Sequence, residues 1–225
     1  MTDVIEPPIS PPPPPPQGSA LEDVLPTMIE VLTDPRAFFS SMPREGGYEG
    51  PAVFAGVMLV VNAAIAALFA LLHLQVIGVV MALVVIPLFG AIGLAIGSMI
   101  TLLLSKALRG EATLESSFRV VAYSAALLPL AAVARLIPYL PILVEAYGIY
   151  IFIVAVIAVH KVEEQRAWTV LGSIGAVLLL LGLFATITSR RVGPKLEHLG
   201  QELERNAEQL KRAAEEMRLQ RTPPP

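Results

Sequence analysis

The chain has 225 residues, 55% of them hydrophobic and 16% charged, and a mean hydropathy of +0.67. A soluble globule of this length could not bury so much apolar surface, so lipid must solvate part of it. The net charge of −3, with 16 Lys and Arg spread along the chain, argues against nucleic acid as a partner. The absence of cysteine excludes disulfides, thiolate metal sites, thiol catalysis and iron–sulfur clusters together.

Met1 to Ser19 is acidic and proline-rich rather than basic, which predicts no cleavable leader and makes the first apolar segment an uncleaved anchor. Residues 1–18 contain the run PPISPPPPPP from Pro7 to Pro16, which fixes φ and removes backbone donors. A disordered polyproline II arm follows, either a docking tract for a proline-recognising module or a stiff spacer. In residues 19–48, Ser19 and Glu22 fit a capping box, and Leu21, Val24, Leu25, Met28, Ile29 and Leu32 recur at helical spacing. Asp34 and Pro35 can start a second short helix carrying Phe38 and Phe39. The pair is expected at the membrane interface or packed against the ends of the bundle.

Ala52 to Leu74 is a near-continuous apolar stretch of 23 residues, long enough to cross a hydrocarbon core of about 30 Å. Val76 to Leu104 contains Pro87 and would reach about 43 Å as a straight helix, so a second span here must tilt, kink or extend past the bilayer. A tight turn at His73 and Gln75 joins the two. Three further spans are predicted at 118–137, 141–160 and 167–188, with Pro138 and Pro141 bracketing the turn between third and fourth. Tyr139, Tyr147, Tyr150 and Trp168 lie near span ends, as in an aromatic belt, or serve plain packing. The fold class is therefore all-α, a polytopic transmembrane bundle of about five spans over 52–188.

Hydropathy collapses after Arg190 and Arg191, and residues 195–221 read as a soluble charged helix. Leu196, Leu203, Leu210 and Met217 repeat every seven residues, with Leu199, Asn206 and Ala213 opposite them, a coiled-coil-like seam of about three heptads.

No catalytic or cofactor motif emerges. His73, His160 and His198 fall on different segments without a second ligand at helical spacing, so no zinc motif is formed. Ser98 with His160 is the nearest approach to an intramembrane serine protease, without its flanking pattern. Gly90, Gly93 and Gly97 lack the Lys and Ser/Thr of a phosphate loop and are expected to serve helix packing, Gly93 and Gly97 as a small-xxx-small pair; a hinge aided by Pro87 is the other reading. Asn62 is a lone polar group in the first span. Arg135 and Glu145 are the informative intramembrane charges, placed at similar depth on either side of the proline turn and expected to pair.

Three segments carry a family resemblance: DPRAFFSSMPREGG at Asp34 to Gly47, KALRGEATLESSFRVVAYS at Lys106 to Ser124, and IFIVAVIAVHKVEEQRAW at Ile151 to Trp168. On these the interval from Val31 to about Gly172 resembles the Yip-domain family, membrane proteins described as partners of Ypt and Rab GTPases, and looks like its bacterial branch. The resemblance implies five spans, a cytosolic N-terminus and, for the eukaryotic members, a role in vesicle traffic. For a bacterial member it implies the inner membrane. The Asp-Leu-Tyr-Gly-Pro kind of motif found in eukaryotic members does not occur in Met1 to Pro51.

Together these readings point to a non-enzymatic membrane scaffold or adaptor, with membrane lipids around it. Its protein partners would be recruited through the N-terminal arm or the C-terminal helix, and it could be a homo-oligomer. The alternative is a small transporter, channel or lipid-handling protein using Arg135, Glu145 and the glycine-rich second span.

Overall fold

The computed structural model describes the backbone of residues 22–220, and the side chains of that range other than 189–201 and 212–220. The proline-rich arm, Ser19, Leu21 and the side chains of Leu196, Leu199 and Met217 lie outside that description. Eight helices run in order: α1 Val24–Thr33, α2 Pro35–Ser41, α3 Glu49–Leu72, α4 Val76–Ala107, α5 Leu114–Ser124, α6 Leu127–Ala134, α7 Leu140–His160 and α8 Glu164–Gln220. Among the described residues, five helical stretches are long and apolar enough to cross a membrane: α3, α4, α5 with α6, α7 and the first part of α8.

The two leading helices belong to the bundle rather than to its fringe. Asp34 caps α2 by accepting a bond from the Ala37 N–H at 3.1 Å, with Pro35 in the first turn, where its missing donor is harmless. Val24 and Val31 of α1 and Phe39 of α2 are buried in one core with Phe54 and Met58 of α3, Val120 of α5 and Ile151 of α7. The Tyr147 hydroxyl donates to the Leu32 carbonyl at 2.7 Å, answering one of the free carbonyls at the end of α1. Tyr147 lies about 20 Å along α7 from His160 by helical rise, so α1 reaches down the side of the bundle. Leu25 and Ile29, expected on the same stripe as Val24, instead face outward.

The third span is two helices, not one. Pro129 has no N–H, and its ring would strike the carbonyl four residues back, that of Ala125. The chain turns there through three-residue bonds from Ala125 N–H to Ala122 O, Ala126 N–H to Tyr123 O and Leu128 N–H to Ala125 O. The span also begins four residues earlier than its hydropathy, at Leu114, because Thr113 and Ser116 form a reciprocal capping box.

Glycines decide how close α4 comes to its neighbours. A Cβ at Gly90 would fall 2.2 Å from Leu59 Cδ2 on α3, and one at Gly97 would fall 3.2 Å from Val121 on α5, whereas one at Gly93 would meet nothing within 4 Å. The close approaches are thus made by Gly90 and Gly97 on two different partners. Pro87 is accommodated inside a continuous α4. At the other end of the chain, α8 does not stop where hydropathy collapses: it passes through Gly193 and Pro194 to Gln220 as one helix, where a separate helix from 195 had been expected.

Gly90→Ala must push Leu59 aside, an overpacking cost of about 1–3 kcal/mol, and is expected to lower the thermal midpoint of the detergent-purified protein. Gly93→Ala is expected to leave it within about 0.5 kcal/mol of wild type. Intrinsic Trp168 fluorescence on heating reads both; equal losses would place Gly93, too, in a tight contact.

Candidate functional site

Five chain ends meet on one face of the bundle: the start of α3, the end of α4, the start of α5, the end of α7 and the start of α8. The segments 42–48, 108–113 and 161–163 that join them converge on a network of charge. At its centre is Arg119, on the second turn of α5 and only 6% exposed. Its Nη1 donates to the Pro43 carbonyl at 3.0 Å and its Nη2 to the Gly47 carbonyl at 3.1 Å, while Nε lies 3.6 Å from Glu115 Oε1.

The loop can wrap a guanidinium this closely because two glycines lead it around. Gly46 and Gly47 have φ of 134° and 85°, and a Cβ at Gly46 would lie 3.0 Å from Arg119 Nη2. Glu115 closes the ring by accepting the Gly47 N–H at 2.7 Å. Planar, divergent donors meeting two carbonyls is a geometry that Arg supplies and Lys does not. Outward from this centre, Arg44 pairs with Glu111 at 3.0 Å, Arg36 with Glu164 at 3.1 Å, and Arg166 with Glu163 at 2.8 Å. These outer pairs are solvent-exposed to varying degree and contribute little each.

Beneath the ring, α4 turns a line of hydroxyls inward. Ser98 and Thr101 are nearly fully buried and donate to the carbonyls of Leu94 and Gly97 on their own helix, at 2.6 and 2.7 Å. Ser105 instead meets His160 Nδ1 at 2.7 Å, both side chains being wholly buried. The connector is sewn over this pair: the Gly110 N–H donates to Ser105 O and the Glu111 N–H to His160 O, both at 2.7 Å. A Cβ at Gly110 would come within 3.0 Å of both of those carbonyls, so only glycine fits. Arg109 and Lys161 take left-handed backbone on either side, ending α4 and α7.

His160 therefore partners Ser105, not Ser98, and both side chains are fully buried. Among the described residues no group of three or more His, Asp or Glu is placed to hold a metal ion. The arrangement joins segments; it presents no nucleophile to solvent.

The predicted intramembrane charges lie elsewhere. Arg135 ends α6 and is exposed, and it forms no ion pair with Glu145. Between Arg135 and the start of α7 the chain makes two short turns and passes through Tyr139 at φ 67°, which separates the residues. Glu145 faces α8, with Oε2 3.2 Å from where a Cβ at Gly182 would be. Asn62 is half-buried on α3. Leu203 and Leu210 are exposed on α8. Sequence reading missed Ser105 and the bonds made by Arg119 and Tyr147. The role of Arg119 is hidden in the sequence because its acceptors are backbone carbonyls about seventy residues away that no side-chain pattern announces.

Arg119→Ala would leave Glu115 and two inward carbonyls without their cation, a loss of about 3–5 kcal/mol for a buried site. Arg119→Lys keeps the charge but not the fork and should fall between. The rate of trypsin cleavage at Arg44 in intact membranes measures how firmly the loop is held, and both variants should be cut faster than wild type. An unchanged rate in Arg119→Ala would mean that something else holds it.

The three segments whose residues resembled a known family, 34–47, 106–124 and 151–168, are those that meet around Arg119 and His160. The family model for the Yip1 domain matches residues 29–186, which takes in all three segments and the five spans. No curated protein and no solved structure matches the chain. A multi-pass membrane protein, the chain belongs to the Yip1-domain family.

Proposed function

We propose that the protein is a non-enzymatic membrane scaffold or adaptor, a five-span anchor that presents a protein-binding helix beyond the bilayer. The observation that supports this most is the unbroken α8, whose 57 residues span about 85 Å. A partner held on its outer half would be coupled stiffly to the bundle rather than tethered by a loose linker. There Leu203 and Leu210 are 69% and 72% exposed and lie seven residues apart, a narrow apolar seam that one helix cannot bury. At the opposite end Arg119 binds two backbone carbonyls and Ser105 meets His160, contacts that suit a structural role.

The occupant favoured for the seam is a second copy of α8. Tethering by the fifth span raises the effective concentration of neighbouring copies, so a short seam with Asn206 in it can still pair. In this cysteine-free chain, Leu203→Cys should crosslink between copies more readily than Glu204→Cys on the flank. Equal yields would remove the self-association. The scaffold reading itself is tested by capture in native membranes: Leu203→Asp with Leu210→Asp should release protein partners, while Arg135→Ala with Glu145→Gln should not. The reverse pattern would favour transport.

We further infer that the N-terminus is cytoplasmic, in a bacterial inner membrane if the bacterial resemblance holds. The face that gathers Arg36, Arg44, Lys106, Arg109, Arg119, Lys161 and Arg166 outweighs the other in positive charge, even with Arg190, Arg191, Lys195, Arg205 and Arg135 on the latter. Single cysteines at Ser41 and Thr222 should differ in labelling by a membrane-impermeant maleimide on intact cells, Thr222 being the reactive one. Equal labelling would contradict an odd number of spans.

A further inference from the structure

The fifth span packs mainly on α7, and between α8 and α4 it leaves a cleft of about 640 Å³ floored by α5, α6 and α7. That volume lies within the range of ligand pockets, about 300–1,000 Å³. Its walls are apolar, Ile100, Leu128, Val144, Phe152, Ile174 and Leu178 among them. The two hydroxyls that line it make no demand on an occupant, since Thr101 donates to Gly97 O at 2.7 Å and Ser124 to Val120 O at 2.7 Å. Such walls suit hydrocarbon.

Glu145 is the single ionisable residue among those lining the cleft, and it is held there by the space left at Gly182. It joins none of the ion pairs among the described residues, and it lies within the first turn and a half of α7, near the end of the bundle. A carboxylate on a membrane span is costly unless a cation or donor meets it. Among the described residues no ion pair reaches this one.

We propose that this cleft is a lipid site, occupied by an acyl chain of an aminophospholipid whose primary ammonium is bound by Glu145. Charge complementarity and hydrogen bonding select the headgroup together: a primary ammonium carries three N–H donors, a choline headgroup carries none, and a glycerol headgroup lacks the positive charge. The site does not depend on the scaffold reading, because it lies within the bundle and apart from the outer half of α8.

The test uses the full-length, delipidated protein in detergent, titrated with phosphatidylethanolamine, phosphatidylcholine or phosphatidylglycerol of identical dioleoyl chains, with bound lipid counted by native mass spectrometry. Phosphatidylethanolamine should bind about tenfold more tightly than phosphatidylcholine, and Glu145→Gln should erase that preference while still binding lipid. Ala131→Trp, which fills the cleft and keeps the carboxylate, should weaken all three. Equal affinity of the wild-type protein for the three lipids overturns the proposal, as does tighter binding of phosphatidylglycerol or a preference that survives Glu145→Gln. Disulfide crosslinking between copies at Ile174→Cys would overturn it in favour of a second copy in the cleft.

Discussion

A guanidinium shut away from water must find acceptors for its donors, and in this protein one such group organises the end of a membrane bundle. Arg119 takes two backbone carbonyls from the loop ahead of the first span, and Glu115 binds that loop from the other side. Fixing the loop fixes what precedes it. Helices α1 and α2 are thereby held where Val31 and Phe39 complete the core and where Tyr147 can reach the end of α1. The Arg36–Glu164 pair and the Tyr147 hydroxyl on the Leu32 carbonyl tie the same segment to the bundle at two further points.

How much of this was legible follows from what each feature depends on. Lipid-facing helices announce themselves by composition, so the spans at Ala52, Val76, Pro141 and Ala167 were readable to within a few residues, as was the start of α2 from Asp34 and Pro35. Pro129 could have been read and was passed over, because an apolar run of the right length masked a breaker inside it. The early start of α5 was hidden in the opposite way, by polar residues whose hydroxyls cap the helix they begin. The partners of Arg119, Ser105 and Tyr147 are set by tertiary approach. Two of the three bond mostly to backbone carbonyls, which every residue possesses and no motif reveals. The expected Arg135–Glu145 pair failed on geometry: proximity in sequence across a proline turn did not survive the turn's own conformation.

The proposed helix seam lies outside the family match, whereas the cleft lies within it. The three segments that carry the resemblance join the helices at one end of the bundle, and Ser124 and Phe152 among them also line the cleft. The sites proposed are an apolar cleft with one carboxylate, and the outer half of a helix with two bare leucines. A shared architecture does not by itself fix function, which rests on such sites.

The order in which the Arg119 contacts lie along the chain bears on how the protein is made. Pro43, Gly47 and Glu115 all precede Arg119 in sequence, so every partner of the guanidinium has already left the ribosome when Arg119 itself emerges. The ring needs no residue from the last two spans, since all of its members lie between Pro43 and Arg119. His160 arrives later, to a connector that is already positioned, and completes its bond to Ser105 as a second and separate closure. The first three spans thus contain an electrostatic lock of their own, and the end of the fourth adds a second tie.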